Sequence, residues 1–78
     1  MQITIYSKSD CPYCEKIKKV FDLLKLEFVE YKLDEHFTRQ NFIDEFGEGS
    51  TFPRVIFGEK LIGGCTETIQ YLKENNLL

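Results

Sequence analysis

The chain has 78 residues, of which 10 are basic and 13 acidic, so its formal net charge is −3. With 42% hydrophobic and 29% charged residues, it has the composition of one globular domain over residues 1–78, too short for a second core. The longest apolar run, Val55-Ile56-Phe57, is far shorter than the ~18 residues of a membrane span. The acidic pI, near 5.1, disfavours nucleic acid and anionic membranes as partners.

The first half of the chain predicts a strand, a helix and a second strand. Residues 2–6 alternate polar and apolar side chains, which is typical of a strand. From Pro12 onward the pattern changes to a helical stripe, with a solvated face that includes a Glu15–Lys19 pair. The stripe consists of Ile17, Val20, Phe21 and Leu24. Residues 27–32 predict a strand parallel to the first, because the helix between them is long enough to cross over.

The second half predicts a helix, a hairpin and a last helix. A helix is expected from near Thr38 to Gly47, followed by a loop over residues 47–50. Strands over 54–57 and 60–62 flank Gly58-Glu59, a pair suited to a tight hairpin turn. The last helix is expected to be capped by Thr66 or a neighbour and to run to about Glu74. The side chains expected to point inward from these two helices are Phe42, Ile43, Phe46, Ile69 and Leu72. The fold class is therefore α/β, in the order βαβ-α-ββα, with a four-stranded mixed sheet covered by three helices.

The cysteines require a chemical explanation. An odd count of three, with no secretory signal, predicts a reducing, cytoplasmic location and no disulfide-stapled scaffold. Cys11 and Cys14 lie where the first strand passes into the first helix, with Pro12 fitting its first turn. The helix N-terminus favours the thiolate of Cys11, aided by Lys8 and opposed by the adjacent Asp10, and places the Cys14 sulfur within reach.

Three interpretations of this pair compete. A redox dithiol fits the two-residue spacer beside a βαβ pattern. A zinc site would need further ligands, and the chain offers only Cys65 and His36 as scattered singles. Two incidental core cysteines would leave Pro12 and the helix-start position without a reason. The redox interpretation is preferred, and no metal site is expected.

The sequence resembles the glutaredoxins, small dithiol proteins with the thioredoxin fold, over essentially its whole length. Four ordered stretches carry the resemblance: Tyr6-Ser7-Lys8, Cys11-Pro12-Tyr13-Cys14, Thr51 through Phe57, and Ile62 through Glu67. It implies that Cys11 is the nucleophile, that Cys14 is the resolving thiol, and that a cis peptide bond precedes Pro53. A cis-proline turn leaves the Phe52 backbone available to hold an extended peptide such as glutathione.

The resemblance also implies where glutathione binds. The γ-glutamyl end would lie at Cys65, Thr66 and Glu67, where a helix start offers N–H groups to a carboxylate. Lys8 and Tyr13 would take the other end, and the Gly63-Gly64 pair would allow close approach. The implied set is Lys8, Tyr13, Thr51, Phe52, Pro53, Gly64, Cys65, Thr66 and Glu67, with Arg39 and Gln40 as further candidates.

Two residues depart from the family pattern. The family usually has Val where this chain has Phe52, and often Asp where it has Glu67. The bulk of Phe52 is expected to reshape the groove, whereas Glu67 keeps an acceptor on a longer arm. Outside the motifs, Cys65 is interpreted as a bystander at the groove and His36 as a surface or capping residue.

The resulting functional hypothesis is a glutathione-dependent thiol–disulfide oxidoreductase, monomeric, with glutathione as co-substrate and no tightly bound cofactor. Its expected partners are disulfide-containing or glutathionylated proteins, with ribonucleotide reductase as one acceptor. The alternatives are a redoxin recharged by a flavoprotein reductase, a carrier of a bridging iron–sulfur cluster, which Pro12 disfavours, and a zinc module.

Overall fold

The computed structural model describes residues 2–78 and contains seven elements in the predicted order. The strands are β1 (Ile3–Ser7), β2 (Val29–Lys32), β3 (Arg54–Phe57) and β4 (Lys60–Gly63). The helices are α1 (Pro12–Leu23), α2 (Arg39–Phe46) and α3 (Cys65–Glu74). The predicted α/β class and βαβ-α-ββα order are confirmed. No helix within residues 2–78 has the length and apolar character needed to cross a membrane.

The four strands form one mixed sheet in the order β2-β1-β3-β4. β1 runs parallel to β2 and antiparallel to β3, so the α1 crossover has the predicted effect on strand direction. β3 and β4 form the predicted hairpin, in which Phe57 lies opposite Lys60. The turn requires a positive φ, which Gly58 adopts at 66°.

The main core lies between the sheet and the pair α1 and α3. Alternation along β1 and β3 directs every second side chain toward these helices, and Ile5 and Val55 are completely buried. The predicted stripe of α1 supplies Ile17 and Phe21, also completely buried, and α3 adds Leu72. Burying side chains of this size contributes about 1.5–3 kcal/mol each, which fixes the start of α1 against the end of β1.

The opposite face of the sheet carries α2 and an aromatic cluster, defined here as Tyr6, Phe37, Phe42, Phe46 and Phe52. Tyr6 follows Ile5 in β1 and therefore points to the other side of the sheet, where its ring lies 5.0 Å from that of Phe46. Phe42 is almost fully buried, as predicted. Phe46 is only half-buried, because a single helix covers this face.

Several local expectations differ from the structure. β1 and β2 begin at Ile3 and Val29, since their pairing starts with Thr4 opposite Val29. Ile43 and Ile69 are only half-buried, although Ile69 packs against the main core as predicted.

Two further differences concern polar side chains on the helices. The cap of α3 is Gly64 and not Thr66, because Glu67 Oε1 accepts the Gly64 N–H at 2.8 Å. Lys18, and not Lys19, pairs with Glu15 on α1.

Candidate active site

The two cysteines lie at the junction of β1 and α1 and form a disulfide, with their Cα atoms 5.2 Å apart. Cys11 is the N-cap of α1 and has extended backbone angles, whereas Pro12 is the first helical residue. Proline suits this position because its missing N–H would have no partner inside the helix. The predicted placement of the pair at a helix N-terminus is confirmed.

The environment of Cys11 favours negative charge on its sulfur. The Cys14 N–H donates to Cys11 Sγ at 3.2 Å, as a capping donor would to an oxygen. This donor and the positive end of the α1 dipole both stabilise a thiolate. Cys11 retains 6% exposure and Cys14 none, so an incoming thiol reaches the bond from the Cys11 side.

A shallow cleft of about 140 Å³ lies beside the cysteine motif. Three stretches of chain meet there: Tyr13 from α1, residues 51–53 before β3, and residues 64–67 at the start of α3. The Phe52–Pro53 peptide bond is cis, as the resemblance implied. The cleft brings together eight of the predicted binding residues: Tyr13, Thr51, Phe52, Pro53, Gly64, Cys65, Thr66 and Glu67.

The α3 side of the cleft is rich in hydrogen-bond donors. The first in-helix bond of α3 runs from Thr68 N–H to Gly64 O at 3.0 Å. The N–H groups of Cys65 and Thr66 precede that bond and therefore have no partner inside the helix. Glu67 uses Oε1 to accept the Gly64 N–H, a bond that leaves Oε2 unengaged. This end of the cleft offers N–H donors to an anion and a carboxylate oxygen to a cation.

Gly63 and Gly64 are needed for close packing against Glu67. A Cβ on Gly63 would lie 3.0 Å from Glu67 Cβ, and one on Gly64 would lie 3.0 Å from Glu67 Oε1. Gly63 also has a φ of 129°, which side-chain-bearing residues rarely adopt. The two glycines were predicted to let a ligand approach the backbone closely. In the structure it is the Glu67 side chain that approaches them closely.

The remaining predicted binding residues lie outside the lining of the cleft. The Lys8 ammonium is 5.7 Å from the centre of the Phe52 ring, which places it next to one cleft wall. Arg39 and Gln40 are exposed on the first turn of α2, and Gln40 bonds to Asp44 of its own helix at 2.8 Å. The structure therefore does not bring Arg39 and Gln40 into the cleft, and their ligand role stays a prediction.

The two other residues considered from the sequence have ordinary environments. Cys65 is a free cysteine, and burial raises the pKa of its thiol; Glu67 also raises it, whereas Lys16 opposes the change. His36 is exposed, which agrees with the surface interpretation; its Nδ1 accepts the Lys32 N–H at 2.9 Å, and the cap of α2 is Thr38. Among residues 2–78, no group of three or more His, Cys, Asp or Glu side chains could hold a metal ion.

A polar network beneath α1 was missed by the sequence reasoning. The completely buried Ser7 hydroxyl donates to Glu30 Oε2 at 2.5 Å, and Lys18 Nζ bonds to the same oxygen at 3.0 Å. Burial alone would raise the pKa of the Glu30 carboxyl group. The hydrogen bonds from Ser7 and Lys18 outweigh this effect, so the pKa of Glu30 is lowered. Burial likewise disfavours the Lys18 ammonium, but Glu15 and Glu30 outweigh it, so its pKa is raised. The sequence did contain a signal for this network, because Ser7 and Glu30 are polar residues at strand positions that face the core.

A larger cleft lies away from this chemistry. It has a volume of about 800 Å³ and lies at the other end of β1, against the end of α1 and the start of β2. Its lining contains no cysteine. The chemical site of the chain is therefore the smaller cleft next to the disulfide.

Comparisons with protein families, with related sequences and with solved structures all lead to the same family. The family profile described as Glutaredoxin matches residues 3–62. Glutaredoxin-C6 of Oryza sativa subsp. japonica is 34% identical over 97% of this chain and 70% of that protein. Glutaredoxin 1 from Francisella tularensis, solved with cacodylate, has a TM-score of 0.80 and 29% identity over 97% of this chain and 95% of its own. A buckwheat glutaredoxin–glutathione complex has a TM-score of 0.80 and 29% identity over 96% of this chain and 71% of its own.

Proposed function

Because the chain belongs to the glutaredoxin family, it is a glutathione-dependent thiol–disulfide oxidoreductase, and we propose that Cys11 and Cys14 divide its chemistry between them. Cys11 is the nucleophile, since it alone combines some exposure with a hydrogen-bond donor at its sulfur. Cys14, completely buried one turn into α1, is the resolving thiol. The observation that carries this proposal is the disulfide at the N-terminus of α1, next to the cleft of the cis-proline turn.

The reaction proceeds by thiol–disulfide exchange. The Cys11 thiolate attacks one sulfur of a substrate disulfide, forming a mixed disulfide and releasing the other sulfur as a thiolate, which takes up a proton. The Cys14 thiolate then attacks Cys11 Sγ, releases the reduced substrate and leaves the intramolecular disulfide. One glutathione thiolate reopens this bond at Cys11, and a second one attacks the Cys11–glutathione bond. The products are the dithiol and glutathione disulfide, so two glutathiones supply the two electrons.

The cleft is proposed to hold the glutathione half of the mixed disulfide. The glutamyl carboxylate accepts from the N–H groups of Cys65 and Thr66, and its ammonium contacts the free oxygen of Glu67. The Phe52 backbone, before the cis bond, pairs with the peptide, and Tyr13, Thr51 and Pro53 line its path. The similarity to a glutaredoxin solved with glutathione supports this assignment.

The proposed partners are those that a shallow cleft admits. Glutathione acts as a co-substrate and not as a tightly bound cofactor, because a cleft of about 140 Å³ leaves much of a tripeptide in solvent. The other substrates are exposed protein disulfides and glutathionylated proteins, with ribonucleotide reductase as one acceptor. A monomer in the reducing cytoplasm fits this role, since glutathione there keeps the two cysteines reduced.

Two cysteine variants test the division of roles. In a glutathione-coupled assay, Cys11→Ser is expected to abolish reduction of both protein disulfides and glutathionylated substrates, because the attacking sulfur is lost. Cys14→Ser is expected to retain the second activity and lose the first, since only a protein-linked intermediate needs resolution. Lys19→Gln, on the exposed face of α1, is the control. Equal losses in both cysteine variants would refute the division, and no turnover by the wild type would refute the proposed activity.

A further inference from the structure

Phe52 belongs both to the cleft and to the aromatic cluster on the other face of the sheet. Its ring is stacked on that of Phe42, with the centres 4.2 Å apart and the planes 16° from parallel. Phe37 lies beside it, at 6.1 Å and 24°. Phe42 is itself 2% exposed. The ring of Phe52 is therefore held by α2 and cannot rotate freely as an isolated surface side chain would.

The Lys8 ammonium lies over this immobilised ring, 5.7 Å from its centre. That distance is within the range in which the negative face of an aromatic ring attracts a cation. Within residues 2–78 Lys8 takes part in no ion pair, whereas Lys18 is paired with Glu15 and Glu30. Among the residues that the structure describes, the ring of Phe52 is thus the partner found next to the Lys8 ammonium.

The position of this charge complements the α3 side of the cleft. The first-turn N–H groups of α3 attract an anion at one end, and Lys8 presents a positive charge at the Phe52 wall. A ligand with two carboxylates separated by a peptide backbone would engage both. Glutathione has this chemistry, with one carboxylate on its γ-glutamyl residue and one on its glycine.

We propose that Phe52 is a positioning residue, whose ring holds the Lys8 ammonium at the cleft wall to bind the glycine carboxylate of glutathione. The inference rests on the proposed function and deepens it, since it assigns a task to one of the two residues at which this chain departs from the family pattern. Phe42 and Phe37 act one step further away, because they fix the plane of the Phe52 ring.

A double-mutant cycle tests the proposal on the full chain. Phe52→Leu keeps apolar volume but removes the ring face, and it is expected to raise the KM for glutathione about two- to fivefold with little change in kcat. In a Lys8→Gln background the same substitution is expected to have no further effect on KM. With the glycine ethyl ester of glutathione, which lacks the second carboxylate, Phe52→Leu is expected to have no effect at all. Lys60→Gln removes another lysine that lies over a ring, that of Tyr71, away from the cleft, and serves as the matched control.

The outcomes separate this proposal from the proposed function. If the wild type is active but Phe52→Leu raises KM equally in the Lys8 and Lys8→Gln backgrounds, the positioning role alone would be overturned. An equal rise in KM for glutathione and for its ethyl ester would have the same consequence. An inactive wild type would overturn the function itself. Nuclear magnetic resonance of the unmutated protein gives a test that does not depend on any variant folding. The ring current of Phe52 is expected to shift the Lys8 side-chain CH₂ protons upfield of those of Lys19, and coincident shifts would refute the contact.

Discussion

The network of Ser7, Glu30 and Lys18 yields a quantitative prediction about stability. Glu30→Ala removes the acceptor of both other side chains and leaves the Ser7 hydroxyl buried without a partner. An unsatisfied buried hydroxyl costs about 1–3 kcal/mol. Lys18 keeps its 2.8 Å contact with Glu15, whose side chain is 62% exposed, so losing Glu30 adds at most about 1 kcal/mol. With the middle of the first range, about 2 kcal/mol, the free energy of unfolding should therefore fall by about 2–3 kcal/mol.

Thermal and urea unfolding of the oxidised protein would measure this loss. For a domain of this size the predicted change lowers Tm by about 10–20 °C. Glu30→Gln is the matched variant, because its amide oxygen still accepts from Ser7, and it should lose about half as much. A loss below about 0.5 kcal/mol in Glu30→Ala would refute the reasoning, as would equal losses in the two variants.

The same network sets the direction of the pH dependence. The folded pKa of Glu30 lies below its unfolded value, so its contribution is present above that value and is lost as the pH falls through the folded pKa. The folded pKa of Lys18 lies above its unfolded value, so its contribution is complete below that value and is lost as the pH rises through the folded pKa. Stability measured from pH 3 to 7 should rise more steeply in the wild type than in Glu30→Gln; parallel curves would contradict the assignment.

Two further predictions concern the α3 side of the cleft. In the reduced, folded protein at neutral pH, iodoacetamide should modify Cys11 much faster than Cys65, because burial raises the pKa of the Cys65 thiol; mass spectrometry of the peptides would show this, and equal labelling would contradict it. Gly63→Ala should lower the free energy of unfolding by about 1–2 kcal/mol and raise the KM for glutathione, because its φ of 129° is strained for alanine and the new Cβ would displace Glu67. Gly49→Ala has a similarly positive φ but nothing within 4 Å, so it should cost stability without changing KM.

The architecture could be predicted because its signals are local. Alternation in β1 and the helical stripe of α1 each follow from a short stretch of sequence, and the α1 crossover then makes β1 and β2 parallel. Element ends were less predictable, because they depend on pairing and capping. β2 begins only where β1 offers a partner, and the cap of α3 is Gly64, whose N–H is accepted by a carboxylate three residues later.

The site was predictable to the extent that a family motif marks it. The cysteine pair could be identified from its position between a strand and a helix, and the cleft residues from resemblance. Lys18 and Glu30 could not be paired in this way, because 12 residues and a change of element separate them. The stacking of Phe52 on Phe42 likewise requires α2 to fold back over the sheet next to the cis-proline turn.

The sequence by itself determined that this chain is one α/β domain with a redox dithiol at a helix N-terminus, because strand alternation, helical spacing and a Cys-Pro start are properties of neighbouring residues. Only the tertiary structure decided which distant groups meet at that dithiol. It brought Tyr13, the cis-proline turn and the start of α3 into one cleft, and it placed the Lys8 charge over an immobilised ring. The physical reason is that such contacts depend on how the two faces of the sheet are covered, which local pattern does not encode.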